Sequence, residues 1–391
     1  MKYFEIPCRD ANFGALLAME MKKLCKYILS AAMVAVSAVG VAEACTSAII
    51  GASRSATGHP LLWKNRDTGT EHNFVAKVGP KDAGDIPYVA LFNGGDSLLL
   101  DAWIGVNEAG FAIMNTASYN LAPDTAAYKD REGRVMTEAL RRCRTVGDFS
   151  RLLDSQPRPL GVQANFGVID ATGAGGYYEA DDYGYEVYML SDNDDVLLRT
   201  NYSYSGDTVS GFGYIRHENE RHLLKPYIDG DSVSAYALTD LLSRSFYHSL
   251  IGRDFADGDE EWVVDQDFIP RHSTSASVVV EGVGRGEDPR LSMMWTAIGY
   301  PPCSYVLPVW VDDVPEELQP VGKEWRSPLC DSILMLKHKA FPIARGSGRR
   351  YLHMPTVREI SARQRQVSAD NYRNGYLRRE DMKHKLEKRK K

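Results

Sequence analysis

Polar and apolar residues alternate along much of the chain between Cys45 and Val311. This alternation is typical of strands that bury one face and expose the other. Strands therefore dominate the expected core. The pattern predicts strands at 73–79, 87–93, 97–105, 110–118, 165–170, 185–190, 196–203, 275–281, 291–299 and 304–311.

Apolar residues at helical spacing occur in fewer segments. The chain from Pro355 onward is predicted to be helical and strongly basic. Clusters of strands interrupted by paired helices favour an α+β sandwich. The other predicted helices are at 133–143, at 146–154, from an Asp231 cap to about Leu250, and at 327–340.

The first 44 residues have the organisation of an export signal. A positive stretch at 21–26 precedes an apolar run at 27–41 and an Ala42-Glu43-Ala44 cleavage site, with residues 1–20 as additional upstream sequence. This order is typical of a secretory signal peptide, and the apolar run is short for a membrane-spanning helix. We therefore expect cleavage between Ala44 and Cys45, export to the periplasm or the extracellular space, and no stable membrane insertion afterwards. The alternatives are a retained membrane anchor and a lipoprotein attached through Cys45.

Cleavage after Ala44 would leave a thiol and a free α-amine on one residue, Cys45. An α-amine has an ordinary pKa of about 7.7–8.0, so an appreciable fraction is neutral at pH 7. A neutral amine can accept the thiol proton, directly or through water, and activate its own nucleophile without a histidine. Taken alone, a cysteine after a cleavage site can also be a coincidence.

The residues after Cys45 predict a hairpin. A short strand is followed by a polar turn at 52–58 and by a second strand that ends in Lys64-Asn65-Arg66-Asp67. Such a hairpin folds 64–67 back beside Cys45. A carboxylate there can hold the amine, and a cation there can favour the thiolate and bind an acidic group of a substrate.

Composition and charge narrow the class of protein. The chain is 44% hydrophobic and 25% charged, as in ordinary soluble globular proteins. Residues 45–356 contain 29 Lys/Arg against 43 Asp/Glu, whereas residues 357–391 contain 12 against 5. The acidic body argues against nucleic-acid binding. We interpret the basic tail as a solvated helix, in preference to a homo-oligomer contact or a tether to an anionic surface.

Four short motifs follow one another along residues 45–311: Cys45-Thr46-Ser47 with the 64–67 strand end, Gly-Val-Asn-Glu-Ala-Gly-Phe-Ala-Ile at 105–113, the 164–173 segment leading to 178–180, and Arg199-Thr200-Asn201-Tyr202. Together they resemble the N-terminal-nucleophile (Ntn) hydrolases with a cysteine nucleophile. More narrowly, they resemble the group of choloylglycine hydrolases, penicillin V acylases and acyl-CoA:6-aminopenicillanic acid acyltransferases. The resemblance implies a four-layer αββα sandwich. It divides the chain into a signal peptide at 1–44, an Ntn hydrolase domain at 45–312 and a C-terminal extension at 313–391.

The resemblance also implies catalytic roles. Cys45 would be the nucleophile and its α-amine the base. Asp67 would orient that amine, and Asn201 would stabilise the oxyanion.

Substrate-binding roles are implied for four other residues. Lys64 stands where bile-salt hydrolases have an arginine, which argues against bile-salt or penicillin V specificity because lysine lacks the forked donors. Arg66 could replace the lost function, and solvated charges are the alternative for both residues. A second asparagine matches Asn115 or Asn120 without a unique alignment, and we select Asn115. A further arginine of the group corresponds to Arg271.

The expected function is an exported amidohydrolase or acyltransferase that cleaves a linear, non-peptide amide through a thioester. Its partner would be a small-molecule acyl amide, and no metal or organic cofactor is expected. The alternatives are a dipeptidase of a related cysteine Ntn group and a non-catalytic exported protein lipidated at Cys45.

Overall fold

The computed structural model describes residues 44–123, 125–346 and 349–390. Of the predicted signal peptide, only Ala44 lies within these ranges. In the described part of the chain, no helix combines the length and the apolar character needed to cross a bilayer.

Antiparallel strands form most of the described core. In chain order they are β1 (Thr46–Ile50), β2 (Leu61–Asp67), β3 (Asn73–Val78), β4 (Tyr88–Asn93), β5 (Ile104–Asn107), β6 (Ala112–Ala117), β7 (Ala164–Ile169), β8 (Gly175–Ala180), β9 (Tyr185–Met189), β10 (Val196–Arg199), β11 (Tyr247–His248), β12 (Arg253–Asp254), β13 (Trp262–Val263), β14 (Thr274–Glu281), β15 (Met293–Ile298), β16 (Leu307–Val309), β17 (Ile343–Gly346) and β18 (Arg349–His353).

Two large sheets organise these strands. One has the order β10-β1-β2-β14-β15-β16, and the other is a meander of β3 to β9 in sequence order. Apolar side chains from the facing surfaces, including Ile49, Leu62 and Val278 on one side and Val89 and Met114 on the other, form a buried core between the sheets.

Helices cover the outer face of each sheet. The described α-helices are α1 (Glu132–Arg142), α2 (Val146–Ser155), α3 (Tyr214–Asp229), α4 (Pro328–Ala340) and α5 (Met354–Lys390). Residues of α1 and α2 pack on the seven-stranded sheet, while α3, the π-helical segment Ala237–Leu242 and α5 contribute to the apolar cluster on the six-stranded sheet. The predicted four-layer αββα sandwich is therefore confirmed.

Local sequence signals set several helix boundaries. The Thr145 side chain accepts a hydrogen bond from the backbone N–H of Asp148, and the Asp148 side chain accepts one from the backbone N–H of Thr145. Helix α2 therefore begins with a capping box. Ser327 caps α4, and Pro328 occupies its first turn. Both helices begin within two residues of the predicted positions.

Two predicted elements are wrong. The predicted strand at 97–105 is mostly a turn, because the Asp96 carboxylate accepts hydrogen bonds from the backbone N–H groups of Leu100 and Asp101. The helix predicted from Asp231 to about Leu250 is replaced by the short π-helical segment and by β11. Asp231 has a left-handed φ of 48°, which does not suit a helix cap of the usual extended type.

The C-terminal extension packs on the six-stranded sheet. In α5, Tyr372 and Tyr376 pack their rings on Trp295 of β15. Gly375 allows this close approach, because a Cβ atom there would lie 2.5 Å from the Trp295 ring. The inward face of α5 is buried, so the interpretation of the tail as a solvated helix is wrong for this face.

Candidate active site

Cys45 directly precedes β1, at the start of the predicted hairpin. Thr46 pairs with Asn65 and Ser47 pairs with Lys64 across β1 and β2, so the charged end of β2 lies beside Cys45. The Cys45 Sγ atom is 4.0 Å from the carbonyl oxygen of Asp67, and the residue is 4% exposed. The predicted proximity of Cys45 and the 64–67 strand end is therefore confirmed.

The Asp67 carboxylate is buried and is surrounded by hydrogen-bond donors. β2 pairs with β14 at this end, which brings Thr274 opposite Asp67, and the Thr274 hydroxyl donates to Asp67 at 2.5 Å. Arg271 forms a two-pronged ion pair with the same carboxylate, with its Nε at 3.1 Å. Burial alone would lower the pKa of Arg271, but the charge and hydrogen bonds of Asp67, together with the charges of Asp265 and Asp267, raise that pKa above its ordinary value.

Arg271 also marks where the Cys45 backbone lies. Its Nη2 group donates to the carbonyl oxygen of Ala44 at 3.2 Å while it binds Asp67. The Ala44–Cys45 peptide group is therefore next to the Asp67 carboxylate. Arg271 thus contacts both Asp67 and the backbone next to Cys45, and the substrate-binding role implied for it stays a prediction.

Asn201 follows β10, the edge strand that pairs with β1. Its side-chain Nδ2 donates to the carbonyl oxygen of Ala117 at 2.8 Å, and its Oδ1 accepts from Arg216 at 2.8 Å. Because a guanidinium can only donate, the Asn201 atom that faces Arg216 is the oxygen, and the amide nitrogen is the atom that faces Ala117.

Arg216 is a site residue that the sequence analysis missed. It lies in α3, is 1% exposed, and donates to the Cys45 carbonyl oxygen and, at 2.9 Å, to the Thr46 hydroxyl as well as to Asn201. Burial, together with the nearby charge of Arg271, lowers the pKa of Arg216 to about 10. The guanidinium still carries its charge at neutral pH and joins Cys45, the predicted nucleophile, to Asn201, the predicted oxyanion residue.

A fully buried acid lies one helical turn beyond Arg216. Neither carboxyl oxygen of Glu220 has a hydrogen-bond partner among the described residues. Burial raises the pKa of Glu220 well above its usual range, against the attraction of Arg216 and Arg199. The neutral acid is therefore favoured.

A buried ion pair supports the segment that follows Asn201. Arg199 donates from Nε to Glu179 at 2.7 Å, and its guanidinium lies 3.6 Å from the centre of the Tyr204 ring. Glu179 in turn accepts from the backbone N–H groups of Tyr204 and Ser205 at 2.9 and 2.7 Å. Glu179 therefore holds the chain on both sides of Asn201, through Arg199 before it and through Tyr204 and Ser205 after it.

Lys64, Arg66 and Asn115 form a second cluster, on the face of β2 that points toward the seven-stranded sheet. Lys64 Nζ donates to Asn115 Oδ1 at 2.7 Å and to the Trp103 carbonyl oxygen at 3.1 Å. Arg66 donates to Asn73 at 2.8 Å and lies 4.7 Å from the centre of the Trp103 ring. Both cations are 2% exposed, so the alternative of solvated charges is wrong.

The two asparagine candidates occupy different places. Asn115 contacts Lys64, whereas Asn120 exchanges hydrogen bonds with the backbone of Ser203 and so holds the loop after Asn201. Cys45 and Asn201 thus share Arg216 as a partner, Asp67 and the Ala44 carbonyl share Arg271, and the other three predicted residues form the second cluster. Among the described residues, no group of three or more His, Cys, Asp or Glu side chains is placed to hold a metal ion.

Comparison with known proteins gives similarity in fold at low sequence identity. No protein-family model matches the sequence, and no curated protein matches it. The similar solved structures include an N-acylethanolamine-hydrolysing acid amidase ortholog from Caenorhabditis elegans (13% identity, TM-score 0.40, covering 61% of this chain and 92% of that one). They also include a variant of the conjugated bile acid hydrolase from Clostridium perfringens (11%, 0.41, 71% and 97%) and penicillin V acylase from Agrobacterium tumefaciens (15%, 0.38, 69% and 87%).

Proposed function

We propose that this chain is an exported amide hydrolase whose nucleophile is the thiol of an N-terminal Cys45. The substrate class is a small, linear, non-peptide acyl amide. The chemistry requires removal of residues 1–44, because the α-amine of Cys45 is then released to act as the base. The order of motifs along the chain supports this proposal, and the contacts around Cys45 support it further.

One observation carries the proposal: the Ala44–Cys45 peptide group is bound beside a buried carboxylate. Arg271 donates to both the Ala44 carbonyl oxygen and Asp67. Once Ala44 is removed, the new α-amine of Cys45 would lie in the same place, next to Asp67. A nearby negative charge stabilises the protonated amine, which must form when the amine takes the thiol proton.

The first half-reaction would form a thioester. The Cys45 thiolate attacks the amide carbonyl carbon and forms a C–S bond, and the carbonyl oxygen becomes an oxyanion. The Asn201 amide and a backbone N–H would stabilise this oxyanion, where each donor is worth about 3–4 kcal/mol. The C–N bond then breaks as the α-ammonium group gives its proton to the leaving nitrogen.

The second half-reaction would return the enzyme to its starting state. The neutral α-amine takes a proton from water and the resulting hydroxide attacks the thioester carbonyl. The C–S bond then breaks as the α-ammonium group returns its proton to the sulfur, which releases the carboxylic acid and restores the thiol and the neutral amine. An amine in place of water would give acyl transfer through the same intermediate. Arg216 would hold the Cys45 backbone and Asn201 at a fixed separation through both steps.

The cluster of Lys64, Arg66 and Asn115 is the proposed polar wall for the substrate. Its two cations lie on the face of β2 that points toward the seven-stranded sheet, and the Trp103 ring lies 5.7 and 4.7 Å from Lys64 and Arg66. Because these side chains are held by amide oxygens and a ring, they are fixed in place before substrate binds.

The test combines identification of the N-terminal residue with an assay of amide turnover. N-terminal sequencing and intact mass of the exported protein should give a free Cys45. A panel of acyl amides, penicillins, conjugated bile acids and dipeptides should include at least one substrate for the wild type and none for Cys45→Ala. Cys143→Ala, which alters a buried free thiol in the other helical layer, is the matched control and should retain turnover.

Three results would contradict the proposal: an N-terminus at another residue, an added diacylglycerol mass on Cys45, or equal turnover by wild type and Cys45→Ala.

A further inference from the structure

One buried acid of α3, Glu220, takes no part in the two half-reactions. The residue is 0% exposed, and neither of its carboxyl oxygens has a hydrogen-bond partner among the described residues. Buried polar atoms are nearly always hydrogen-bonded, because burial removes their contacts with water. A role outside packing would explain why an acid occupies this position.

The Arg216 guanidinium, one helical turn before Glu220, uses only its two terminal nitrogens. Nη1 donates to the Cys45 carbonyl oxygen and, at 2.9 Å, to the Thr46 hydroxyl, and Nη2 donates to Asn201 Oδ1 at 2.8 Å. All three acceptors are uncharged. The third N–H group, on Nε, has no partner among the described residues. Residues four apart are neighbours on a helix, so the unpaired carboxyl and the unpaired Nε–H lie on adjacent turns of one face.

The other groups around Glu220 leave Arg216 as its natural partner. Arg199 of β10 also attracts Glu220, but this second guanidinium already has a carboxylate partner in Glu179. Burial raises the pKa of the nearby tyrosine hydroxyls, so these groups stay neutral: Tyr177 of β8, and Tyr202 and Tyr204 of the loop after Asn201. Arg216 is therefore the cation near Glu220 whose own acceptors are all neutral.

An ionised Glu220 would be a stronger acceptor for Arg216 than the three acceptors that it has now. A guanidinium binds a carboxylate through two parallel N–H groups, and a pair of opposite charges is especially strong in a low-dielectric interior. Such a pair would use Nε together with one terminal nitrogen. Both terminal nitrogens are bound to the site, so the pair would take the guanidinium away from Cys45 or from Asn201. The neutral acid, which burial favours, exerts no such pull.

We propose that Glu220 is a positioning residue that acts on the candidate active site through the protonation of its carboxyl group. While the carboxyl is neutral, Arg216 stays bound to Cys45, Thr46 and Asn201. When the carboxyl loses its proton, the carboxylate binds Arg216, and Asn201 loses the contact that orients it. The inference rests on the proposed function, and it adds an alkaline limit to the activity of this site.

The first arm of the test follows Arg216 by NMR, without catalysis. The exported protein is labelled with isotopically enriched arginine, and the Nε–H signal of Arg216 is assigned as the one that Arg216→Lys lacks. In the wild type this signal should move downfield as the pH rises from about 6 to about 9.5, because Nε–H gains a charged acceptor. In Glu220→Gln, which keeps the shape of the side chain and cannot ionise, the signal should stay in place.

The second arm measures kcat over the same pH range, with the best substrate from the panel of acyl amides, penicillins, conjugated bile acids and dipeptides. The ratio of kcat for Glu220→Gln to kcat for the wild type should rise with pH, up to about 10²-fold, because only the wild type releases Asn201 from Arg216. Groups that both proteins share, such as the α-amine of Cys45, cancel in this ratio. A merely structural role would change kcat by the same factor at every pH.

Glu218→Gln is the matched control, because Glu218 is a surface acid of the same helix that pairs with Arg221. It should keep the wild-type behaviour of the Arg216 signal and the wild-type pH profile of kcat. Glu220→Met has a similar length and cannot ionise, so it repeats both arms if Glu220→Gln fails to fold.

Each outcome has a distinct meaning. An Arg216 signal that behaves alike in the wild type and in Glu220→Gln, or a kcat ratio that does not change with pH, would overturn the inference. An Arg216 signal that moves only in the wild type, together with the absence of turnover for every amide, would support the link between Glu220 and Arg216 and would count against the proposed function alone.

Discussion

Arg216 and Asn201 are joined by a hydrogen bond of 2.8 Å between Nη2 and Oδ1, and the other terminal nitrogen of the same guanidinium binds the carbonyl oxygen of Cys45. One rigid, planar group therefore sets the distance between the backbone of Cys45, the predicted nucleophile, and Asn201, the predicted oxyanion donor. Because Arg216 donates to Oδ1 of Asn201, the Nδ2 group of that amide points away from Arg216.

The first prediction concerns this link. Arg216→Lys keeps the charge but cannot bind Cys45, Thr46 and Asn201 at once, so we expect kcat to fall by about 10²-fold with a smaller change in KM. Asn201→Ala should lower kcat by about 10²–10³-fold. The double variant should lose less than the product of the two, because both changes damage one unit.

The control for this prediction is Arg221→Lys, at a solvent-exposed arginine on α3 that pairs with Glu218. It should leave kcat unchanged. Multiplicative losses in the Arg216→Lys, Asn201→Ala double variant would show that the two residues act independently and would contradict the link.

The second prediction concerns the buried pair of Asp67 and Arg271. Asp67→Asn removes the charge that compensates a guanidinium next to Cys45, and we expect a loss of about 3–5 kcal/mol in the free energy of unfolding. Asp231→Asn, at an exposed pair with Arg54, should cost less than about 1 kcal/mol. Urea denaturation of the three proteins checks this.

Measurements of kcat separate the contribution of Asp67 to stability from its proposed role in orienting the α-amine of Cys45. The variant that still folds should show a lower kcat, because the α-amine of Cys45 would lose its anionic partner. A stable Asp67→Asn protein with wild-type kcat would exclude Asp67 as the orienting carboxylate.

The hairpin that contains Cys45 and Asp67 was predictable because the residues that determine it are close together in sequence. A polar turn separates two short apolar strands, and their pairing fixes which residues meet Cys45. The contact of Arg271 with Asp67 depends instead on the pairing of β2 with β14, which are far apart in sequence and bring Thr274, three residues after Arg271, opposite Asp67. The family resemblance suggested Arg271, but alternation along a strand cannot predict that partner.

Helix α3 could not be found from apolar spacing, because most of its buried positions are polar. Its buried positions include Arg216, Asn219 and Glu220, which are polar, and Pro226 lies within it. A helix that buries polar groups against an active site has no apolar stripe to recognise. The same property hid Arg216, whose role depends on tertiary contacts with Cys45 and Asn201.

The third prediction concerns the pH dependence of stability. Burial lowers the pKa of His217 to about 4, against an ordinary value of 6.5, and the nearby groups are Glu218, Arg199 and Arg221. The unfolded chain therefore takes up a proton near pH 6.5, while the folded protein does so only near pH 4. This contribution to stability is complete above pH 6.5 and is lost as the pH falls toward 4, by about 3 kcal/mol in total.

His217→Gln removes the titrating group and keeps a polar partner for the Tyr204 hydroxyl, which lies 3.0 Å from the His217 ring nitrogen. Urea denaturation from pH 7 to pH 4.5 should show a shallower loss of stability for this variant than for the wild type. His222→Gln, at an exposed histidine of the same helix, should follow the wild-type slope. Identical slopes for all three proteins would contradict the assignment to His217.

The last prediction tests how α5 is held on the sandwich, using two adjacent arginines. The Glu281 carboxylate is fully buried and accepts from Trp295 at 2.9 Å and from Tyr376 at 3.0 Å, and Arg379 of α5 forms an ion pair with it. Arg379→Ala removes the guanidinium and leaves the His59 ring, 3.1 Å away, as the remaining basic partner of that carboxylate, so we expect a loss of about 3 kcal/mol or more.

Arg378→Ala is the matched control, because Arg378 pairs with Asp313 at the surface and such pairs contribute less than about 1 kcal/mol. Thermal and urea denaturation of both variants measure the difference. If the two alanine variants lose the same free energy, α5 is held by its apolar contacts with Trp295 alone. In that case the buried polar cluster contributes no net stability, since a buried ion pair can cost as much in desolvation as it returns.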